Sequence, residues 1–174
     1  MKNANVLKAT TKLAAVLAIA AFEARAQESG KPGPERRRIV ISLADRKLVL
    51  FEGEHVLRVF DVAVGKRSTP SPVGKFAIIN RVPNPTWYGP AGVVPPGKSN
   101  PLGSRWMGLT AKGYGIHGTN VPSSIGKAAS HGCIRMRKQD LEELFEMVTV
   151  GTTVELEDEP TELVAAVLSH EVSE

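Results

Sequence analysis

Between Val82 and Arg105 the chain carries Pro83, Pro85, Pro90, Pro95, Pro96 and Pro101, interleaved with Gly89, Gly92, Gly97 and Gly103. A stretch so punctuated is neither a long helix nor a central strand: proline lacks the backbone donor that both ladders need, and glycine weakens either element. Residues 82–105 are therefore expected to run as a long loop over one side of the fold, and loops of that length in compact domains are usually functional. The runs around it are short and β-rich. Arg38–Leu43 and Lys47–Phe51 read as strands joined by a hairpin at Ala44-Asp45-Arg46. Val56–Val64 alternates in its middle and stops at Gly65, and Phe76–Asn80 follows the turn-rich Thr69–Gly74. Trp106–Thr110 and Tyr114–His117 follow the loop, and residues 152–156 form a closing strand. Helix signals are confined to the far end. Leu141, Leu144, Phe145 and Val148 share one face from Asp140 onward, with Glu143 placed for a capping box, and Thr161–Ser169 reads as a short acidic helix outside the core. At 174 residues, 42% of them apolar, the chain can bury an ordinary core in one domain. The expected fold class is mainly β: a closed or sandwiched mixed sheet of short strands, with one or two short helices and the long Pro/Gly-rich loop.

The two ends read differently. Lys2, Lys8 and Lys12 precede an apolar run from Leu13 to Phe22, followed by Ala24-Arg25-Ala26. That is the pattern of a secretory signal peptide over residues 1–26. Its apolar run falls short of the roughly 20 residues a membrane span needs, and no cysteine follows it to carry a lipid. Residues 27–37 read as a linker, 38–157 as the globular domain and 158–174 as an acidic tail. The expected location is the periplasm or cell-wall compartment, free rather than anchored. The precursor's net charge of +4 is largely the export signal's, because 18 Lys and Arg face 17 Asp and Glu once residues 1–26 are removed. What remains is polarised: from Val62 to Lys138 there are 11 basic residues and no acidic one, whereas from Gln139 to Glu174 there are 11 acidic residues and no Lys or Arg. Such asymmetry predicts a basic working face for an anionic partner, against the plainer reading that the two segments pair with each other. With aromatics at 5%, nucleic acid is not the expected partner.

Within the acid-free segment sit His117, His131 and the only cysteine, Cys133, in the stretches Gly115–Asn120 and Ser130–Met136. Paired-carboxylate hydrolysis and carboxylate-bound magnesium or calcium lack their residues here. A thiol with imidazole neighbours supports nucleophilic acyl chemistry instead. A free thiol is only a few per cent ionised at pH 7, so it needs positive charge or a hydrogen-bond donor close by. His131 and Arg135, two residues either side, are expected to supply that charge from the same face. Gly132 lets the backbone turn so that amide N–H groups point at a developing oxyanion. His117 is the expected general base and later acid, oriented by a backbone carbonyl, that of Gly118, since no carboxylate lies nearby in sequence. Ser130 reads as a hydrogen-bond donor rather than the nucleophile. A zinc set of His117, His131 and Cys133 lacks a fourth ligand, and no metal or cofactor is expected. A redox-sensing thiol would want a resolving cysteine, which is absent.

The stretch HGTN-VPSSIGKAA-SHGCIRM, with TPSPVGKF, NPLGSRWMGL and GYGIHGTN upstream, resembles the L,D-transpeptidase catalytic domain family of the YkuD type, over residues 38–157. The resemblance implies a β-rich fold with a cleft and a cysteine acyltransferase acting on peptidoglycan. Cys133 would attack the carbonyl of the third residue of a tetrapeptide stem, releasing D-alanine. The acyl group would then pass to an amine of a second stem as a 3→3 cross-link, to a protein such as an outer-membrane lipoprotein, or to water. His117 would be the base, and Ser130, His131, Gly132 and Arg135 would line the site, with Tyr114 and Asn120 also binding substrate. Many family members carry asparagine where this chain has Arg135, a difference bearing on the acceptor. An L,D-carboxypeptidase or cross-link hydrolase would use the same residues, and a wall-binding module without turnover would have no use for the thiol.

Overall fold

A computed structural model describes residues 37–90, 92–158 and 160. The expected signal peptide, nearly all of the linker and the helix expected over Thr161–Ser169 lie outside the described residues. Arg37, the last residue assigned to the linker, belongs to the first strand.

Strand β1 (Arg37–Ser42) turns through Ala44-Asp45-Arg46 into β2 (Lys47–Glu52), antiparallel in the register Ile39↔Leu50 and Ile41↔Leu48. The hydroxyl of Ser42 bonds Asp45 across the turn, at 2.7 Å to the carboxylate. Next come β3 (His55–Gly65) and β4 (Gly74–Pro83), then a separate hairpin of β5 (Trp87–Gly89) and β6 (Gly92–Val94). After it run β7 (Arg105–Leu109), β8 (Gly115–His117), β9 (Ala128–Ser130) and β10 (Ile134–Met136). Helix α1 (Lys138–Met147) and β11 (Thr153–Glu157) complete the order. The large sheet is ordered β10-β8-β7-β4-β11-β1-β2-β3-β9, and β10 also pairs with β3. That extra pairing closes the sheet on itself, which removes the edges that an open sheet would expose. Parallel pairs (β1–β11, β8–β10, β3–β9) mix with antiparallel ones, so the mainly-β, closed, mixed sheet expected from sequence is what forms.

The core follows the period-2 alternation of the strands. Ile39, Ile41, Leu48, Leu50, Val62, Ile78, Met107, Ile116, Ile134 and Leu156 point into one cluster, joined by Leu141, Leu144 and Phe145 of α1. Val40, Val49 and Phe51 take the opposite face of β1 and β2, where the Arg38 guanidinium lies 4.2 Å over the Phe51 ring. Helix α1 begins two residues earlier than expected, at Lys138, and the capping box does not form. Arg137 occupies the N-cap with no side-chain cap bond, while Asp140 sits in the first turn 3.7 Å from it. The helix carries no basic residue in its last turn, so strand residues satisfy its C-terminal carbonyls. Arg37 donates to Met147 O at 2.6 Å, and Arg81 donates to Phe145 O while lying 4.0 Å over the Phe145 ring. Guanidinium groups there complement the negative end of the helix dipole.

Two expectations need correction. Residues 82–105 are not all loop: β4 continues through Pro83, and β5 and β6 pair within the segment. The hairpin is its own two-stranded sheet, which is how a proline-rich stretch can hold strands without breaking a central ladder. Strands β9 and β10, three residues each, were not anticipated, because three residues are too few for periodicity to register.

Candidate active site

The closure of the sheet assembles the site. Strand β10 lies between β8 and β3, with Arg135 opposite both His117 and Ala63. Cys133 is the residue before β10, two positions from Arg135, so it shares a side with His117 across the β8–β10 pair. Both side chains line one cleft of about 910 Å³, together with Trp106, Ser130, His131 and Arg135. Thr86, Trp87 and Tyr88 reach the same cleft from the proline-rich segment.

His117 is buried, 6% exposed, and stacks on Trp106 with ring centroids 5.7 Å apart. Its Nδ1 lies 2.6 Å from Gly118 O. A carbonyl only accepts, so Nδ1 carries the hydrogen and Nε2 is left with its lone pair. Burial pushes the imidazole down to about 4, against the upward pull of the Gly118 carbonyl, and the charge of Arg135 lowers it further. At neutral pH His117 is therefore an uncharged imidazole whose free nitrogen is a base.

The sulfur of Cys133 donates to Gly113 O at 3.7 Å. Burial raises the thiol above its ordinary value, and the Gly115 N–H and the Arg135 charge offset this only in part. The expectation that His131 and Arg135 hold the sulfur ionised is thus corrected. Arg135 acts in the expected direction, but desolvation in the cleft outweighs it, and His131 is exposed and does not figure among the causes. The resting pair is a neutral thiol and a neutral imidazole.

Gly132 adopts φ +111°, and a Cβ there would sit 2.5 Å from Cε1 of Tyr114 and 3.1 Å from Pro70 O. Its N–H is spent on Ser130 Oγ at 2.9 Å, so Gly132 shapes the turn before Cys133 and its N–H is not free for an oxyanion. Ser130, 1% exposed, is the acceptor in that bond rather than the donor expected, and its own carbonyl takes bonds from Lys66 N–H and the Thr69 hydroxyl. Tyr114 packs against Gly132 and is not among the residues lining the cleft. Asn120 lines a separate pocket and donates to Ser99 O at 3.1 Å. The turn after β8 thus carries Asn120 to a separate pocket, whereas Tyr114 stays beside the turn that leads into Cys133. Trp106 and Trp87 were missed as cleft residues, though an aromatic beside a predicted strand end and one in the long segment were the available signals. Among the described residues no three His, Cys, Asp or Glu side chains are grouped to hold a metal, so the zinc set is not assembled.

The charge pattern also resolves. Among the described residues no Asp or Glu lines the cleft, and Arg135 is its one Lys or Arg. Several cations of the acid-free segment pair instead with the acidic end of the chain, as in Lys75–Glu155, Arg137–Asp140 and Lys138–Glu142. Arg135 forms no ion pair among the described residues. No helix among them is long and apolar enough to cross a membrane.

The family model for the L,D-transpeptidase catalytic domain (YkuD) matches residues 36–156. The YkuD protein of Bacillus licheniformis is 44% identical over 119 residues, covering 68% of this chain and 64% of that one. The chain thus spans just under two thirds of the length of that relative. A solution structure of the catalytic domain of the Enterococcus faecium L,D-transpeptidase matches with a TM-score of 0.58 at 28% identity, over 71% of this chain and 98% of that one. A structure described as the Ldtfm–avibactam carbamoyl enzyme matches with a TM-score of 0.61 at 27% identity, over 72% and 50%. With its closed mixed sheet and its Cys133–His117 cleft, the chain belongs to the L,D-transpeptidase catalytic domain family of the YkuD type.

Proposed function

We propose that this protein is an exported cysteine acyltransferase that remodels peptidoglycan stem peptides. The observation that carries the reading is the shared cleft of Cys133 and His117, with His117 tied through Nδ1 to Gly118 O so that Nε2 is the free base. In the first half-reaction the Cys133 S–H proton passes to His117 Nε2 as sulfur bonds the carbonyl carbon of the third stem residue. The bond from that carbon to the D-alanine nitrogen then breaks, and His117 returns the proton to the leaving amine. This leaves a thioester on Cys133. In the second half an acceptor amine gives its proton to His117 and attacks the thioester, and the sulfur leaves and is reprotonated by the imidazolium. Arg135, unpaired among the described residues, offers its guanidinium to the carboxylates of a stem. Residues 1–26, read as a signal peptide, would deliver this chemistry to the periplasm or wall, where its substrate lies.

Incubation with disaccharide-tetrapeptide is expected to yield a thioester mass on Cys133, free D-alanine and a dimeric muropeptide linked between two third residues. All three are lost in Cys133→Ala. D-alanine released without dimer would assign the same thiol to a carboxypeptidase, and no product with an intact fold would overturn the proposal.

A further inference from the structure

Asn100 lies fully buried in the proline-rich segment, and both ends of its amide are engaged. Its Nδ2 donates to Pro85 O at 2.8 Å and to Val94 O and Pro95 O at 3.1 Å, while its Oδ1 accepts from Leu102 N–H at 2.8 Å. Carbonyls on one side and an N–H on the other fix which way the amide faces. Pro85 precedes β5 and Val94 ends β6, so one side chain clips both feet of the hairpin. That hairpin brings Trp87 and Tyr88 to the cleft.

The Oδ1 end leads to the base. Leu102, whose N–H is held by Asn100, accepts from Gly118 N–H at 2.8 Å through its own carbonyl. Gly118 O in turn takes the Nδ1 hydrogen of His117 at 2.6 Å. A chain of contacts thus runs from Asn100 through Leu102 and Gly118 to the imidazole. Gly103 packs directly on it. Its φ is +67°, and a Cβ there would lie 2.8 Å from Gly118 Cα and 3.2 Å from Gly118 C.

We propose that Asn100 is a positioning residue for the Cys133 reaction, holding Gly118 where its carbonyl keeps the His117 hydrogen on Nδ1. Without the amide, the Leu102 N–H and three buried carbonyls lose their partner, and the segment no longer holds Gly118 in place. Once Gly118 O shifts, Nε2 carries the hydrogen in part of the population and there has no lone pair to take the thiol proton. The inference rests on the reading of His117 as base, but its first consequence is a property of the resting protein and needs no turnover.

The test reads the tautomer of His117 from the nitrogen shifts of the histidine-labelled full chain at neutral pH, the signal being assigned by its loss in His117→Ala. The unaltered chain is expected to show Nδ1–H alone. Asn100→Ala and Gly103→Ala disturb Gly118 from two sides, and the second leaves the Asn100 side chain in place. Each is expected to populate the Nε2–H form and to slow acylation of Cys133 by a carbapenem about tenfold or more. Ser42→Ala removes another buried side chain that holds a turn, at 2.7 Å to Asp45, and as the control for lost stability should change neither readout. Nδ1–H alone in either variant, or an equal shift in Ser42→Ala, would overturn the role of Asn100 and leave His117 as the base. A shifted tautomer with an undiminished rate would overturn both.

Discussion

Replacing His117 by alanine is expected to lower the rate of acylation of Cys133 by about 10²–10⁴-fold, the usual contribution of a positioned general base. Burial keeps the Cys133 thiol protonated, so attack requires that the proton leave as the S–C bond forms. Among the described residues the cleft holds one other imidazole, that of His131, which is exposed and has no hydrogen bond to fix its ring, unlike His117 with its 2.6 Å contact to Gly118 O. His131→Ala is therefore expected to cost less than tenfold. The measurement is the pseudo-first-order appearance of the Cys133 adduct by intact mass after mixing with a carbapenem or avibactam, with thermal melts confirming that each variant is folded. An unchanged rate in His117→Ala, or a larger loss in His131→Ala, would remove His117 from the role of base.

Gly132→Ala is expected to cost at least about 10² in the same rate, through geometry rather than chemistry. At φ +111° an L side chain is strained by roughly 1–3 kcal/mol, and its Cβ would lie 2.5 Å from the Tyr114 ring and 3.1 Å from Pro70 O. Either the ring or the turn must give way. The turn holds Gly132 N–H on Ser130 Oγ and fixes the residue that follows, Cys133. A displacement of about 1 Å at a reacting atom is enough for a hundredfold loss. Adding Tyr114→Ala to Gly132→Ala frees the space but not the dihedral, so the double variant should recover only part of the rate. Full recovery would show that steric crowding alone makes glycine necessary, and wild-type activity in the single variant would show that the turn does not position the sulfur.

Much of this molecule was legible before any coordinates. The hairpin at Ala44-Asp45-Arg46, the alternation of Val56–Val64 and the helical face of Leu141, Leu144, Phe145 and Val148 are local patterns, and local patterns survive folding. His117, Gly118 and Cys133 could be placed because the chemistry of a lone thiol restricts what can stand around it. What escaped was non-local. Strands β9 and β10 exist through partners on β3 and β8, far away in sequence, and three residues carry no period of their own. The protonation of Cys133 depends on how deeply closure of the sheet buries the sulfur, which the neighbours His131 and Arg135 do not reveal. Asn120 lies three residues from His117, yet the turn between them sends it to a different pocket.

In the proposed mechanism the nucleophile and base rest as a neutral thiol and a neutral imidazole. Protonation of the base silences it, and burial moves that event down from the ordinary histidine value of 6.5 to about 4. Burial moves ionisation of the thiol the other way, upward. The pair is thus in its reactive form throughout the interval between the two, and the acylation rate should not change within it. The measurement is the acylation rate of Cys133 by a carbapenem as a function of pH. The predicted profile is level from about pH 5.5 to about pH 8 and falls on the acid side through a bend near 4. A bend between pH 6 and 7 would mean an ordinary, solvated histidine, and a tenfold rise per pH unit across the same interval would mean attack by free thiolate without His117; either result would rule out a buried, neutral His117 as the base.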